Sequence, residues 1–170
     1  MSSSTKPYTN ATFTKRVDHD GGAKREPRAF AGFAVCKICG AYYENKRWYP
    51  KPEKPIKRSN VEPETVECPA CKQIREGIFE GSLDIHGAFY LQHREEIDHL
   101  LKNEANDAYR DNPLSRIMRW EEKNGGLYIE TTTDELARRL GQVLEKAYHG
   151  KLENVFSHEN KVVRVHWRRD

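Results

Sequence analysis

The only four cysteines of the chain fall in two pairs of identical spacing, CKIC at 36–39 and CPAC at 68–71. No other feature restricts the fold as tightly. Two intervening residues let both sulfurs of a pair face one point from a single tight turn. Two such turns present four thiolates to one ion in a tetrahedron, the arrangement that suits Zn²⁺. Gly40, directly after Cys39, supplies backbone freedom for the turn around the sulfur, and Pro69 stiffens the second turn. The 28 residues between the pairs exceed the common spacing of about 15–20. Residues 51–67, KPEKPIKRSNVEPETVE, absorb the excess, because Pro52, Pro55 and Pro63 mark that stretch as a loop. The spacing therefore predicts one structural Zn²⁺ on Cys36, Cys39, Cys68 and Cys71. Such a site is coordinatively closed and leaves no position for catalysis.

Three other uses of the cysteines compete. A thioredoxin-like redox pair asks for a CxxC after a strand inside a βαβ unit, a context neither motif shows in the sequence. An iron–sulfur cluster can also take four cysteines. Two disulfides would require an oxidising compartment. The N-terminus, MSSSTKPYTN, has no apolar core of the kind a secretory signal needs. No apolar run approaches the roughly 20 residues that span a bilayer. The expected location is the cytoplasm, with no membrane partner.

Composition divides the chain. Residues 1–60 carry 13 Lys and Arg against 5 Asp and Glu, and residues 61–170 carry 16 against 21. The basic excess sits on the front segment, the natural side to meet a polyanion. Hydrophobic residues make up 36% of the chain and the mean hydropathy is −0.91, lean for one globule of this size. Residues 1–30 show no period of 2 or 3.6 and read as a flexible basic arm. Residues 31–76 read as a zinc ribbon containing the proline-rich loop 51–67.

Residues 77–170 read as an α+β domain. GSLDIHGAFYL (81–91) places Leu83, Ile85, Phe89 and Leu91 on one side of an alternation, a strand with a bulge at Gly87. In residues 94–110, Ile97, Leu100, Leu101, Ala105 and Ala108 recur at helical spacing. SRIMRWEE and LYIETTT flank an Asn-Gly-Gly turn and predict a hairpin. Thr132 and Glu135 match a capping box, followed by a stripe of Leu136, Leu140, Val143, Leu144 and Ala147 and a stop at Gly150. Val163, Val165 and Trp167 alternate near the end. The order is β-α-β-β-α-β with room for one extra strand, a ferredoxin-like pattern built on a four-stranded antiparallel sheet.

No catalytic constellation emerges. The seven histidines form no HExxH or related motif, and there is no phosphate-cradling glycine loop. The adjacent carboxylates Glu95/Glu96 and Glu121/Glu122 suit charged helix and strand faces. No small-molecule substrate suggests itself, and the chain reads as a non-enzyme.

Two stretches could contact RNA. Around the first knuckle, Tyr42, Tyr43, Trp48 and Tyr49 interleave with Lys37, Lys46, Arg47 and Lys51. Aromatic rings stack on bases while cations meet phosphates. The same aromatics can instead form the small core of a ribbon. At the far end Arg164, His166, Arg168 and Arg169 form a basic run, which is equally what a charged strand guarding a sheet edge looks like.

CKICG, ECPACKQIREGIFEGSLDIHG and SRIMRWEEKNGGLYIETTTDELARRLGQVLEKAYHGKLENVFS together resemble the N-terminal zinc-binding region of the adaptor family that exports large ribosomal subunits from the nucleus. The matching positions include Gly125, Gly126, Leu127, Ile129, Ala137, Arg138 and Leu140. The chain is more similar still to a group of small bacterial zinc-ribbon proteins that share the RIM…EE…GGL…TT…LARR run and the RVHWRR ending. The resemblance implies the same four zinc ligands and a setting of ribosomal RNA or protein. The adaptor's further metal-binding cysteines, β-rich domains and leucine-rich export signal have no counterpart here, so it does not imply export. The expected function is a non-enzymatic zinc-binding module that binds RNA or the ribosome. The alternative is a protein–protein interaction adaptor whose zinc is purely structural.

Overall fold

A computed structural model describes residues 32–56 and 61–170 of the protein. The expected basic arm, residues 1–30, and part of the proline-rich loop lie outside the described residues. The described residues form two sheets and four helices.

The first sheet comprises β1 (Ala34–Cys36), β2 (Tyr42–Glu44), β3 (Arg47–Tyr49) and β4 (Glu64–Val66), in the order β3-β2-β1-β4. Strands β2 and β3 are joined by Asn45 and Lys46, both at positive φ (49° and 63°). That backbone matches the strand twist in a two-residue hairpin. Strand β4 returns parallel to β1. Helix α1 (Pro69–Glu76) follows. Its first position is Pro69, whose missing N–H costs nothing there. It ends at Gly77 in the left-handed conformation (φ 66°). The sequence predicts only a rigid turn at this proline.

The second sheet holds β5 (Gly81–His86), β6 (Ile117–Lys123), β7 (Gly126–Thr131), β8 (Lys151–Ser157) and β9 (Val162–Arg168), in the order β6-β7-β5-β9-β8. Helices α2 (Ala88–Gln92), α3 (Arg94–Asp111) and α4 (Asp134–Tyr148) complete it. The elements run β5-α2-α3-β6-β7-α4-β8-β9, one short helix and one strand more than the expected β-α-β-β-α-β succession, and the expected four-stranded antiparallel sheet is not formed. Strand β9 enters between β5 and β8, and β5 pairs with it in parallel. The physical reason lies in the last hairpin. Val163, Val165 and Trp167 are fully apolar on one side, so β9 takes the interior place and β8, exposed along most of its length, takes the edge.

Strand β5 stops at His86, and residues 88–91, expected as its continuation, are helical. Gly87 adopts φ 113°, and a Cβ there would lie 2.0 Å from the carbonyl oxygen of Arg169. Backbone meets backbone at this point, so only glycine fits, and the chain turns out of the sheet. The cap of α4 shifts by one residue. Thr133, not Thr132, is the N-cap and accepts from the amide of Leu136. Thr132 is used elsewhere, accepting from the amide of Arg116 at 2.8 Å.

One face of the second sheet buries Leu83, Ile85, Leu127, Ile129, Val163, Val165 and Trp167 under Ile97 and Leu101 of α3 and Leu136, Leu140 and Leu144 of α4. The indole N–H of Trp167 donates to the carbonyl of His149 at 2.8 Å. A second cluster fills the ribbon: Ala34, Cys36, Ala41, Tyr43, Trp48, Cys68, Ala70 and Cys71, with Leu114 packed against it. No helix among the described residues is long and apolar enough to cross a membrane.

Candidate metal centre and its surroundings

Cys36 ends β1, and the chain then turns through residues 37–40. The amide of Gly40 donates to the carbonyl of Cys36 at 2.9 Å, and the amide of Cys36 donates to the carbonyl of Ala41 at 2.7 Å. Gly40 sits at φ 74°, the left-handed geometry that the knuckle was expected to demand. Cys68 is the N-cap of α1, its sulfur accepting from the amide of Cys71 at 3.4 Å. The amide of Cys68 donates to the Cys36 sulfur at 3.3 Å. The two knuckles thus share backbone donors to sulfur, which stabilise thiolate charge.

The four sulfurs lie within 4.8 Å of one another. Cys36 to Cys71 is 3.8 Å and Cys39 to Cys68 is 3.7 Å. A tetrahedron with metal–sulfur bonds of about 2.3 Å has edges of about 3.8 Å, whereas a disulfide brings its sulfurs to about 2.05 Å. All four cysteines are free thiols. The donor set and its spacing therefore fit a single tetrahedral metal ion. Three of the ligands are buried and Cys39 is half-buried.

Electrostatics agree. Burial pushes the thiols of Cys68 and Cys71 up. Burial acts the same way on Cys36, but hydrogen bonds from the backbone of Cys39, Cys68 and Ile38 outweigh it and bring that thiol down to about 6. Charge on Cys39 and Cys71 also raises Cys68, and charge on Cys39 raises Cys71, so full ionisation of the set calls for a cation among the sulfurs. The second motif follows a strand and opens a helix, a context the sequence did not reveal. It is not a βαβ unit, because α1 leads into β5 of the other sheet.

The ribbon aromatics divide by strand alternation. Tyr43 and Trp48 face each other across β2 and β3 and are buried. They are core residues, which removes both from the expected RNA contacts. Tyr42 and Tyr49 lie on the opposite side, half-buried and stacked with centroids 5.0 Å apart. Arg47 rests over the Tyr49 ring at 5.4 Å and donates to the carbonyl of Asp111 at 3.1 Å. Lys37, Lys46 and Lys51 are exposed.

The C-terminal arginines do not form one basic edge. Strand β9 is interior, so Arg164 and Arg168 emerge on the open face of the sheet, among Glu130, Asp84 and Glu153. Arg168 pairs with Asp170 at 3.2 Å. Arg169 lies 3.9 Å over the Phe89 ring and donates to the carbonyl of Tyr148.

One residue at the centre has no counterpart in the sequence reading. Arg116, between α3 and β6, donates from Nη1 to the Cys71 sulfur at 3.3 Å. The two are 45 positions apart, and no local pattern joins them.

No protein-family model matches the chain, and neither a curated protein nor a solved structure shows significant similarity to it.

Proposed function

We propose that the protein is a non-enzymatic module in which one Zn²⁺ holds a ribbon whose surface contacts RNA, in the ribosomal setting that the sequence resemblance implies. One observation carries the reading. Four sulfurs spaced to hold one ion sit in a small sheet on which Lys37, Lys46 and Lys51 are exposed and Tyr42 stacks on Tyr49. Lysines of this kind meet phosphates without sequence preference, and the tyrosine pair adds ring surface for a neighbouring base. Four sulfur donors at tetrahedral spacing favour zinc, and elemental analysis of the purified chain reads the metal directly.

The test is binding of the full chain to ribosomal subunits and to their RNA across a salt series. Affinity should fall steeply with salt. A Lys37→Glu/Lys46→Glu/Lys51→Glu variant should flatten the slope of log affinity against log salt by about 2, at about 0.7 per lost single-strand phosphate contact. Absence of binding at low salt, or a triple variant that binds as the parent does, refutes the reading.

A second reading has its own observation. Edge strand β8 exposes Val155 and Phe156, at 51% and 47%, and an open edge with apolar side chains suits a protein partner. Under that reading a salt-insensitive partner is captured, and Phe156→Ala releases it.

A further inference from the structure

The ribbon and the second sheet meet at the metal centre, and the contacts there are specific. Arg116 reaches the Cys71 sulfur from the second sheet's side. Leu114 packs into the ribbon cluster. From the ribbon side, Gln73 of α1 donates to the carbonyl of Thr132 at 2.9 Å, and Arg47 donates to the end of α3. Arg116 is itself held in place. Its amide donates to Thr132 Oγ1 at 2.8 Å and its carbonyl accepts from the amide of Thr132 at 2.9 Å. The preceding turn is tied by Leu114 to Asn112 Oδ1 at 3.0 Å and by Ser115 to the Thr133 hydroxyl at 3.2 Å.

We propose that Arg116 is a positioning residue of the metal centre that locks the ribbon to the second sheet, so that metal occupancy and the joint between the two sheets stand or fall together. The proposal rests on the reading of the four cysteines as a metal site. Four thiolates around a divalent ion leave a net charge of −2. A guanidinium donating to one of those sulfurs offsets part of that charge through a charge-assisted bond. It also fixes the sulfur's orientation, as outer partners of metal ligands do. Arg116 bears on a sulfur whose position the ion would fix. Loss of the ion therefore weakens the latch, and loss of Arg116 loosens the ion. Lys37 and Lys46 are exposed, and Arg47 is engaged on Tyr49 and Asp111.

The test compares the full chain with Arg116→Ala, Arg116→Lys and Arg116→Gln, using Arg119→Ala as an exposed control on β6. Zn²⁺ is competed with a chromogenic chelator, and Co²⁺ is substituted to read the sulfur-to-metal charge-transfer band. The expected result is an affinity loss of about 10-fold or more for Arg116→Ala, the lower end for outer partners of metal ligands. Lysine should restore part of it and glutamine less, while the control stays at the parent value. The Co²⁺ band of Arg116→Ala and of Arg116→Gln should shift, a change that loss of packing alone would not produce. Amides of residues 112, 114–116 and 132–133 should exchange faster in the stripped parent than in the loaded one. If Arg116→Ala fails to fold, the lysine and glutamine variants carry the same comparison. Unchanged Zn²⁺ affinity and an unchanged Co²⁺ band in folded variants overturn the proposal. A parent chain that takes up neither ion overturns the metal reading itself, and the proposal with it.

Discussion

The cluster beneath the five-stranded sheet consists of fifteen buried residues, among them Trp167, Tyr90 and nine leucines and isoleucines. The ribbon cluster has eight, of which three are cysteines and three are alanines. The first set buries enough apolar surface to hold a sheet and its helices by the hydrophobic effect. The second set does not, since only Tyr43 and Trp48 are large. Its strands are three residues long, and so small a unit depends on a staple. The two halves therefore differ in what can bind them: one has its side chains, the other four cysteines placed to hold an ion.

The largest effect follows from removing the ion. Chelation, or Cys36→Ser with Cys39→Ser, should cost the ribbon on the order of 10 kcal/mol. Hydrogen exchange read strand by strand should show β1 to β4 unprotected while β5, β7 and β9 keep their slow amides. Simultaneous melting of both sheets would erase this difference between the two halves.

A smaller effect runs the other way. Leu140 is fully buried beneath the second sheet, and Leu140→Ala should destabilise it by about 2–5 kcal/mol. Urea unfolding of the metal-loaded chain should register the loss in the sheet's transition, with Zn²⁺ affinity within about twofold of the parent. A matching fall in affinity would mean that the second core also supports the ribbon.

The smallest effect is alkaline. Burial, reinforced by the nearby charge of Asp98, pushes the Tyr90 phenol from its ordinary 10.0 up to about 12. The unfolded chain ionises first, so this contribution is complete below pH 10 and is lost as pH rises toward 12. Stability measured over that window should fall less steeply in Tyr90→Phe than in the parent. Equal slopes would show that the phenol titrates normally in the folded state.

Elements with a local signature were legible in the sequence. The CxxC pairs named the sulfur cluster, the Asn-Gly pair named the β6–β7 turn, and the stripe of Leu136, Leu140 and Leu144 named α4. What the sequence hid depends on neighbours distant in the chain. Gly87 reads as a bulge until the backbone of Arg169 is seen against it. Tyr43 and Tyr42 are alike on paper, and only the pairing of Tyr43 with Trp48 turns one inward. The contact of Arg116 with Cys71 has no periodicity to announce it. The place of β9 inside the sheet was decided by the relative greasiness of two strands in one hairpin, a comparison that an alternation pattern alone does not make.

The parallel pairing of β5 with β9 has a consequence for biosynthesis. These strands are neighbours at the centre of the sheet, yet β5 begins at residue 81 and β9 at residue 162. A chain emerging from the ribosome exposes β5 long before its partner exists, and contacts this far apart in sequence form slowly. The four cysteines are all translated by residue 71. The ribbon's four candidate ligands can thus come together first on the nascent chain, while Leu114 and Arg116, which pack against that cluster and its sulfur, and the final strand of the larger sheet arrive later.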